Sequence, residues 1–388
     1  MEYADKLNDT IQALPPSGIR KFFDIASEID DVISLSVGEP DFPTPAHIRD
    51  AGIRALEEGK TKYTSNQGLT ILREEISRYY QRKYSLNYNA KDEILVTVGG
   101  SEGIDLALRA LLNPGDEVLI PQPSFVCYVP ITKMTGAAPI TLETTAENKF
   151  KVTAEQIEKH ITKKTKAIVL PYPSNPTGAI LTKEELEPIA KVIQKYDLMV
   201  LSDEIYSELV YDVPHTTIAS LPGMQERTLV INGFSKAYSM TGWRMGYALG
   251  PKPWIKAMTK LHQFAIMSAP TISQYASIEA LKNGDEDILY MRKKYDARRK
   301  FVVERLNEMG CTCFAPEGTF YVFPSIEISG LPCEEFCERM IYEKGVAVVP
   351  GTAFGACGEG HVRISYSYST EHLKEGLRLM EEFINSVK

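Results

Sequence analysis

The chain has 388 residues, 44% of them hydrophobic and 24% charged, which suits a globular protein of two domains, or one large α/β domain with a satellite. Lys and Arg total 43 against 51 Asp and Glu, a formal charge of −8, so the basic footprint of a nucleic-acid binder is missing. No apolar run approaches the ~18 residues of a membrane span, and Met1-Glu2-Tyr3-Ala4-Asp5 lacks the basic-then-apolar order of a signal peptide; a cytoplasmic protein without membrane contact is expected.

In chain order, the N-terminal stretch with Pro15-Pro16 reads as an arm. Ile94 to Val98 reads as a buried strand, and apolar residues at 104, 107, 108, 111 and 112 mark one face of the helix that follows. Asn113-Pro114-Gly115-Asp116 turns into a second strand, Val118 to Ile120. Ala167 to Leu170, Met199 to Leu201 and Thr228 to Ile231 are further short buried strands, with a helix over Lys183 to Lys195 between the first two. Short apolar runs alternating with helical periodicity predict βαβ units and a largely parallel sheet. Beyond Asp285 the pattern changes to a long charged amphipathic stretch, Ile288 to Met309, and then to the short apolar runs Thr319 to Phe323 and Val346 to Val349. Gly360 to Tyr366 alternates like a half-buried strand. The expected division is an arm and part of a small domain over 1–45, a large domain over 46–284 and a smaller α+β domain over 285–388. Six cysteines (127, 311, 313, 333, 337 and 357) are too few for a disulfide scaffold, and their spacing matches no zinc ribbon; free thiols and no metal are expected.

Ligands of an open parallel sheet bind beyond the carboxyl ends of its strands. The first strand ends in Gly99-Gly100-Ser101-Glu102-Gly103 at the start of a helix, where free amides and the helix dipole can seat a phosphate; tight packing is the plainer alternative. The motif is neither a Walker A loop nor a dinucleotide fingerprint. The strand ending at Leu170 leads into Pro171-Tyr172-Pro173-Ser174-Asn175-Pro176, whose prolines suggest a rigid extended path presenting Asn175, or an ordinary Asn-Pro turn. Asp203 follows the next strand and suits a ribose, a protonated ring nitrogen or a helix cap better than a metal. After Ile231 comes Lys236, amid Ser235, Phe234, Tyr238, Met240 and Trp243, with Arg244 as a nearby cation. Desolvation and a neighbouring positive charge both lower a lysine's pKa, which is what a Schiff-base lysine needs. Arg363, inside a strand, calls for a carboxylate partner from a substrate or from the core.

The order glycine turn, Asn-Pro, Asp203-x-x-Tyr206, Ser235-Lys236-x4-Thr241-Gly242-Trp243-Arg244 and Arg363 resembles the class I and II aminotransferases, the aspartate aminotransferase superfamily of fold type I pyridoxal-phosphate enzymes. The likeness runs from Ser36-Val37-Gly38-Glu39-Pro40 to Val362-Arg363-Ile364-Ser365 and is nearest to bacterial and archaeal aromatic or broad-specificity members. It implies a large domain with a mostly parallel seven-stranded sheet plus a smaller α+β domain, with pyridoxal 5′-phosphate as cofactor. It further implies an exchange of amino groups between an L-amino acid, aromatic or aspartate, and 2-oxoglutarate in two half-reactions.

By the same resemblance Lys236 would bond the cofactor and move the substrate proton, Asp203 would keep the ring nitrogen protonated, and Tyr206 and Asn175 would bond the ring oxygen. Phe125 would stack on the ring. Gly100, Ser101, Glu102 (by its backbone), Ser235 and Arg244 would surround the phosphate, with Tyr63 arriving from the other subunit of a homodimer. Arg363 and Gly38 would take the substrate carboxylate. One departure is Ser101, where many bacterial aspartate enzymes of this branch carry lysine; this favours aromatic or broad specificity. Arg20 lies near the substrate-facing N-terminal segment and is either a distal cation or a solvated arm residue. A C–S β-lyase or an N-acetyl-diaminopimelate aminotransferase would use the same scaffold. A transcription regulator with an aminotransferase-like domain is disfavoured by the charge and by the short stretch ahead of the first motif.

Overall fold

A computed structural model describes residues 6–388 apart from 17, 28 and 30. Its centre is a seven-stranded sheet: β1 (Ile94–Thr97), β2 (Glu117–Gln122), β3 (Ala138–Glu143), β4 (Thr165–Leu170), β5 (Met199–Asp203), β6 (Thr228–Gly233) and β7 (Gly246–Leu249). The spatial order is β1-β7-β6-β5-β4-β2-β3, and β7 alone runs antiparallel to its neighbours. β1 and β6 are buried along their whole length, as strands covered on both faces must be. Successive side chains point to opposite faces: Leu95, Leu201 and Leu229 pack with Leu106, Leu108 and Trp254 on one side, while Val96 and Val230 pack with Ile76 and Tyr247 on the other. The helix Lys183–Lys195 covers the sheet through Leu186, Ile189 and Ile193. It starts at Thr182, whose hydroxyl accepts from the Glu185 N–H while the Glu185 carboxylate accepts from the Thr182 N–H.

Two strands of this sheet were not anticipated from sequence. β3 lies at the sheet edge, contains Pro139 and is mostly half-buried or exposed, so it lacks a continuous apolar run. β7 is only Gly246-Tyr247-Ala248-Leu249, too short to show a period.

The C-terminal part packs the helices Asp285–Glu308, Cys333–Lys344 and Thr370–Val387 around an antiparallel sheet of Val349–Pro350, Val362–Ser365 and Tyr321–Val322. Val362–Ser365 is buried at every residue, not half-buried as its alternation suggested, because helices and loops cover both its faces. The run from Val346 divides: Val346–Ala347 pairs in parallel with Ile33–Ser34, and Val349–Pro350 pairs with Val362–Arg363. The segment after the arm is thereby held against the C-terminal part. No described helix is long and apolar enough to cross a membrane. All six cysteines are unpaired, and among the described residues no group of three His, Cys, Asp or Glu side chains is placed to hold a metal ion.

Candidate active site

The parallel strands point their carboxyl ends to one edge of the sheet, and chain leaving β1, β2, β4, β5 and β6 turns into a cavity of about 550 Å³. β1 passes almost directly into the helix Gly99–Leu111, whose amino end meets the cavity at Gly100 and Ser101. Its first amides lack intrahelical acceptors and carry the positive end of the helix dipole. Gly99 has φ +75°, and a Cβ there would collide with Nη2 of Arg244. Arg244 reaches this edge because β7 is antiparallel: Gly246 pairs with Thr97 and with Gly233, so the residues ahead of it lie where β1 and β6 end. Among the described residues, the Arg244 side chain donates only to the Thr241 carbonyl, at 2.8 Å.

Chain leaving β2 carries Phe125 into the cavity wall, with Tyr128 edge-on to it at 6.2 Å between ring centroids. The Tyr128 hydroxyl donates to Oδ2 of Asp203 at 2.6 Å, and the Ile205 N–H donates to Oδ1 at 3.2 Å. Asp203 is the last residue of β5 and is buried; desolvation pushes its carboxyl pKa up despite those two donors. No helix begins at Glu204, so the helix-cap alternative does not apply. Three residues on, the Tyr206 hydroxyl lies 2.9 Å from that of Tyr321.

After β4 the proline-rich segment turns instead of running extended: the Gly178 N–H donates to the Ser174 carbonyl, and the Ser174 N–H to the Ala179 carbonyl, both at 2.8 Å. Oδ1 of Asn175 accepts from Nη1 of Arg363 at 2.8 Å, which leaves the amide NH2 as its donor. Arg363 is 2% exposed, donates through Nη2 to the Ser36 carbonyl at 2.7 Å, stacks 4.4 Å from the Tyr321 ring centroid, and has no partner at Nε among the described residues. Neither cation has a carboxylate bonded to it among the described residues. Beyond β6, Lys236 extends Nζ to the Gly38 carbonyl at 2.5 Å, with the Phe320 and Tyr206 ring centroids 5.7 and 5.9 Å away. Burial, seconded by Arg363 and Arg244 and opposed by Glu39, brings its pKa down to about 8.

Gly38, Gly100, Ser101, Phe125, Asn175, Asp203, Tyr206, Ser235, Lys236, Arg244 and Arg363 therefore line one cavity. Glu102 does not: its carboxylate accepts from the Val98 N–H and from Nδ1 of His262. Tyr63 stays outside, 82% exposed on the surface. The Arg20 side chain lies outside the described residues. Sequence reasoning missed Tyr128 and Tyr321. The first opens the short helix Tyr128–Met134 just after the loop that carries Phe125, and no sequence signal marked it; the second read simply as part of an apolar strand.

A family profile described as "Aminotransferase class I and II" matches residues 30–379. Among curated relatives, YugH of Bacillus subtilis is 52% identical over 98% of both chains. An aspartate aminotransferase of Pyrococcus abyssi is 44% identical over 98% of this chain and 99% of its own. Among solved structures, the aromatic aminotransferase from Pyrococcus horikoshii superimposes with a TM-score of 0.90 at 43% identity, over 94% of this chain and 99% of that one.

Proposed function

Since this chain belongs to the class I and II aminotransferases and is an aminotransferase of a family that uses pyridoxal phosphate, we propose that its cavity holds pyridoxal 5′-phosphate and exchanges amino groups between aromatic or acidic L-amino acids and 2-oxoglutarate. The observation that carries this is the placement of Lys236: an amine of lowered pKa between two cations, Arg244 beside a helix amino end and the buried Arg363, neither bonded to a carboxylate among the described residues. A phosphate suits the first position and an α-carboxylate the second. Gly99, with no room for a Cβ beside Arg244, supports close approach of a phosphate to the backbone.

When bound, the cofactor supplies an electron sink for the pair left on the substrate's Cα. Lys236 holds it and moves a proton at Nζ, a task for an amine whose pKa lies near the working pH. Asp203, oriented by Tyr128, holds the proton on the ring nitrogen. Tyr206 and the NH2 of Asn175 donate to the ring oxygen, and Phe125 packs on the ring face. The backbone at Gly100, Ser101 and Glu102 joins Ser235 and Arg244 on the phosphate, while Arg363 and Gly38 take the substrate carboxylate. In this reading 46–284 forms the cofactor-binding part, 1–45 and 285–388 supply the smaller one, and the chain acts as a homodimer in which the partner's copy of Tyr63 reaches the phosphate.

Ser101 in place of a cation supports breadth over strict aspartate use, as does the aromatic and aliphatic wall at Phe125, Ile19 and Ile104. The test is a donor panel of aspartate, tyrosine, phenylalanine, alanine and N-acetyl-diaminopimelate with 2-oxoglutarate. Glutamate formed from an aromatic donor or aspartate is expected. Ammonia and pyruvate from a cysteine conjugate, with no amino transfer, would replace this reading by a lyase, and repeated turnover by Lys236→Ala would remove the lysine's role.

A further inference from the structure

Tyr321 sits on the C-terminal sheet opposite Ser365, two residues from Arg363, yet its hydroxyl ends 2.9 Å from that of Tyr206 at the edge of the large sheet. The side chain is 1% exposed, and among the described residues its only polar atom makes that one bond. Gly38 clears the space, since a Cβ there would collide with the Tyr321 hydroxyl. Each phenol owns a single proton, so one of the pair donates to the other and only one keeps its proton for a third group. The Arg363 guanidinium lies 4.4 Å from the Tyr321 ring centroid, and a cation on a phenol makes it the better donor.

We propose that Tyr321 is a positioning residue: it donates to the Tyr206 oxygen, directs the Tyr206 proton into the cavity toward the cofactor's ring oxygen, and links the strength of that donation to Arg363. This rests on the cavity being a pyridoxal-phosphate site. Hydrogen bonds in a chain polarise one another, so Tyr206 is a stronger donor with Tyr321 behind it than alone. A carboxylate on Arg363 offsets the charge that sharpens Tyr321, which makes substrate binding at one end of the chain felt at the other.

The test is Tyr321→Phe, which keeps the ring and removes the hydroxyl, read by the pH midpoint of the bound cofactor's visible absorption. Weaker support for negative charge on the ring oxygen raises that midpoint, by about 0.5 unit or more, and turnover falls severalfold. Because Tyr321 acts through Tyr206, the same substitution in a Tyr206→Phe background is expected to leave the midpoint where Tyr206→Phe alone puts it. An unshifted midpoint in Tyr321→Phe, or equal shifts with and without Tyr206, overturns the proposal. The unmodified protein's own titration tests the cofactor reading: a flat variant beside a normally titrating parent removes the role of Tyr321 alone, whereas a parent that takes up no cofactor removes both.

Discussion

An amine facing two guanidinium groups from a wall of aromatic rings cannot keep the proton affinity it has in water. Lys236 is brought down from 10.5 to about 8, so between those values the unfolded chain binds more protons than the folded one, and folding stability rises with pH across that window. At pH 7 the cofactor-free protein therefore carries a penalty that Lys236→Met removes. That variant is expected to be more stable at pH 7 by roughly 2 kcal/mol, allowing for partial exposure, with the difference fading toward pH 10.5 in urea melts. Equal stability at both pH values would show that the amine is not desolvated in solution. Arg363 belongs to the same scale. Its two made bonds orient it and its third nitrogen is open, so Arg363→Lys, which loses the planar fork, is expected to raise the KM of every amino donor at least about tenfold. An unchanged KM would remove it from carboxylate binding.

For the elements, local signals reveal most of the site. β1, β2, β4, β5 and β6 each carry a short apolar run, and the residues leaving them were readable as candidates because side chains at strand ends follow from chain order. What no local pattern shows is the direction of β7. Its antiparallel run returns Arg244 to the edge where Gly99 begins its helix, and its guanidinium rests where a side chain at residue 99 would stand. Gly99→Ala meets both a positive φ and the Arg244 guanidinium, so affinity for pyridoxal phosphate is expected to fall tenfold or more, with a loss of about 1–2 kcal/mol in stability. Titration of cofactor-free protein measures the first effect and thermal melting the second; unchanged affinity would place the phosphate elsewhere. Of the two readings that the prolines after β4 allowed, an extended path and an Asn-Pro turn, the structure has the turn. Proline limits the backbone, but the turn at Asn175 is set by bonds from Ser174 to Ala179 and Gly178, which depend on the whole segment.

Across the whole molecule, the charge of −8 does not describe the cavity, where Lys236, Arg244 and Arg363 outnumber Asp203 and Glu39. A cationic pocket in an acidic chain suits the proposed phosphate cofactor and carboxylate substrates. Tyr63 is a proposed site residue whose side chain lies exposed on the surface, outside the cavity lining of a single chain. If the partner supplies it, mixing Tyr63→Ala with Lys236→Ala subunits produces hybrid dimers with both defects in one site and none in the other. Activity above that of either parent is then expected after subunit exchange; no gain would mean that Tyr63 does not cross an interface to the site.

By itself the sequence determined the alternation of strands and helices and the kinds of residue that leave each strand, because burial and periodicity act over neighbours a few positions apart. Combined in order, those residues were enough to reveal the family resemblance. Only the tertiary structure decided that Arg363 meets Ser36, 327 residues away, that Tyr128 orients Asp203, and that Tyr321 stands behind Tyr206. Those contacts join different elements, and their bonds are set by distances in space that no spacing along the chain encodes.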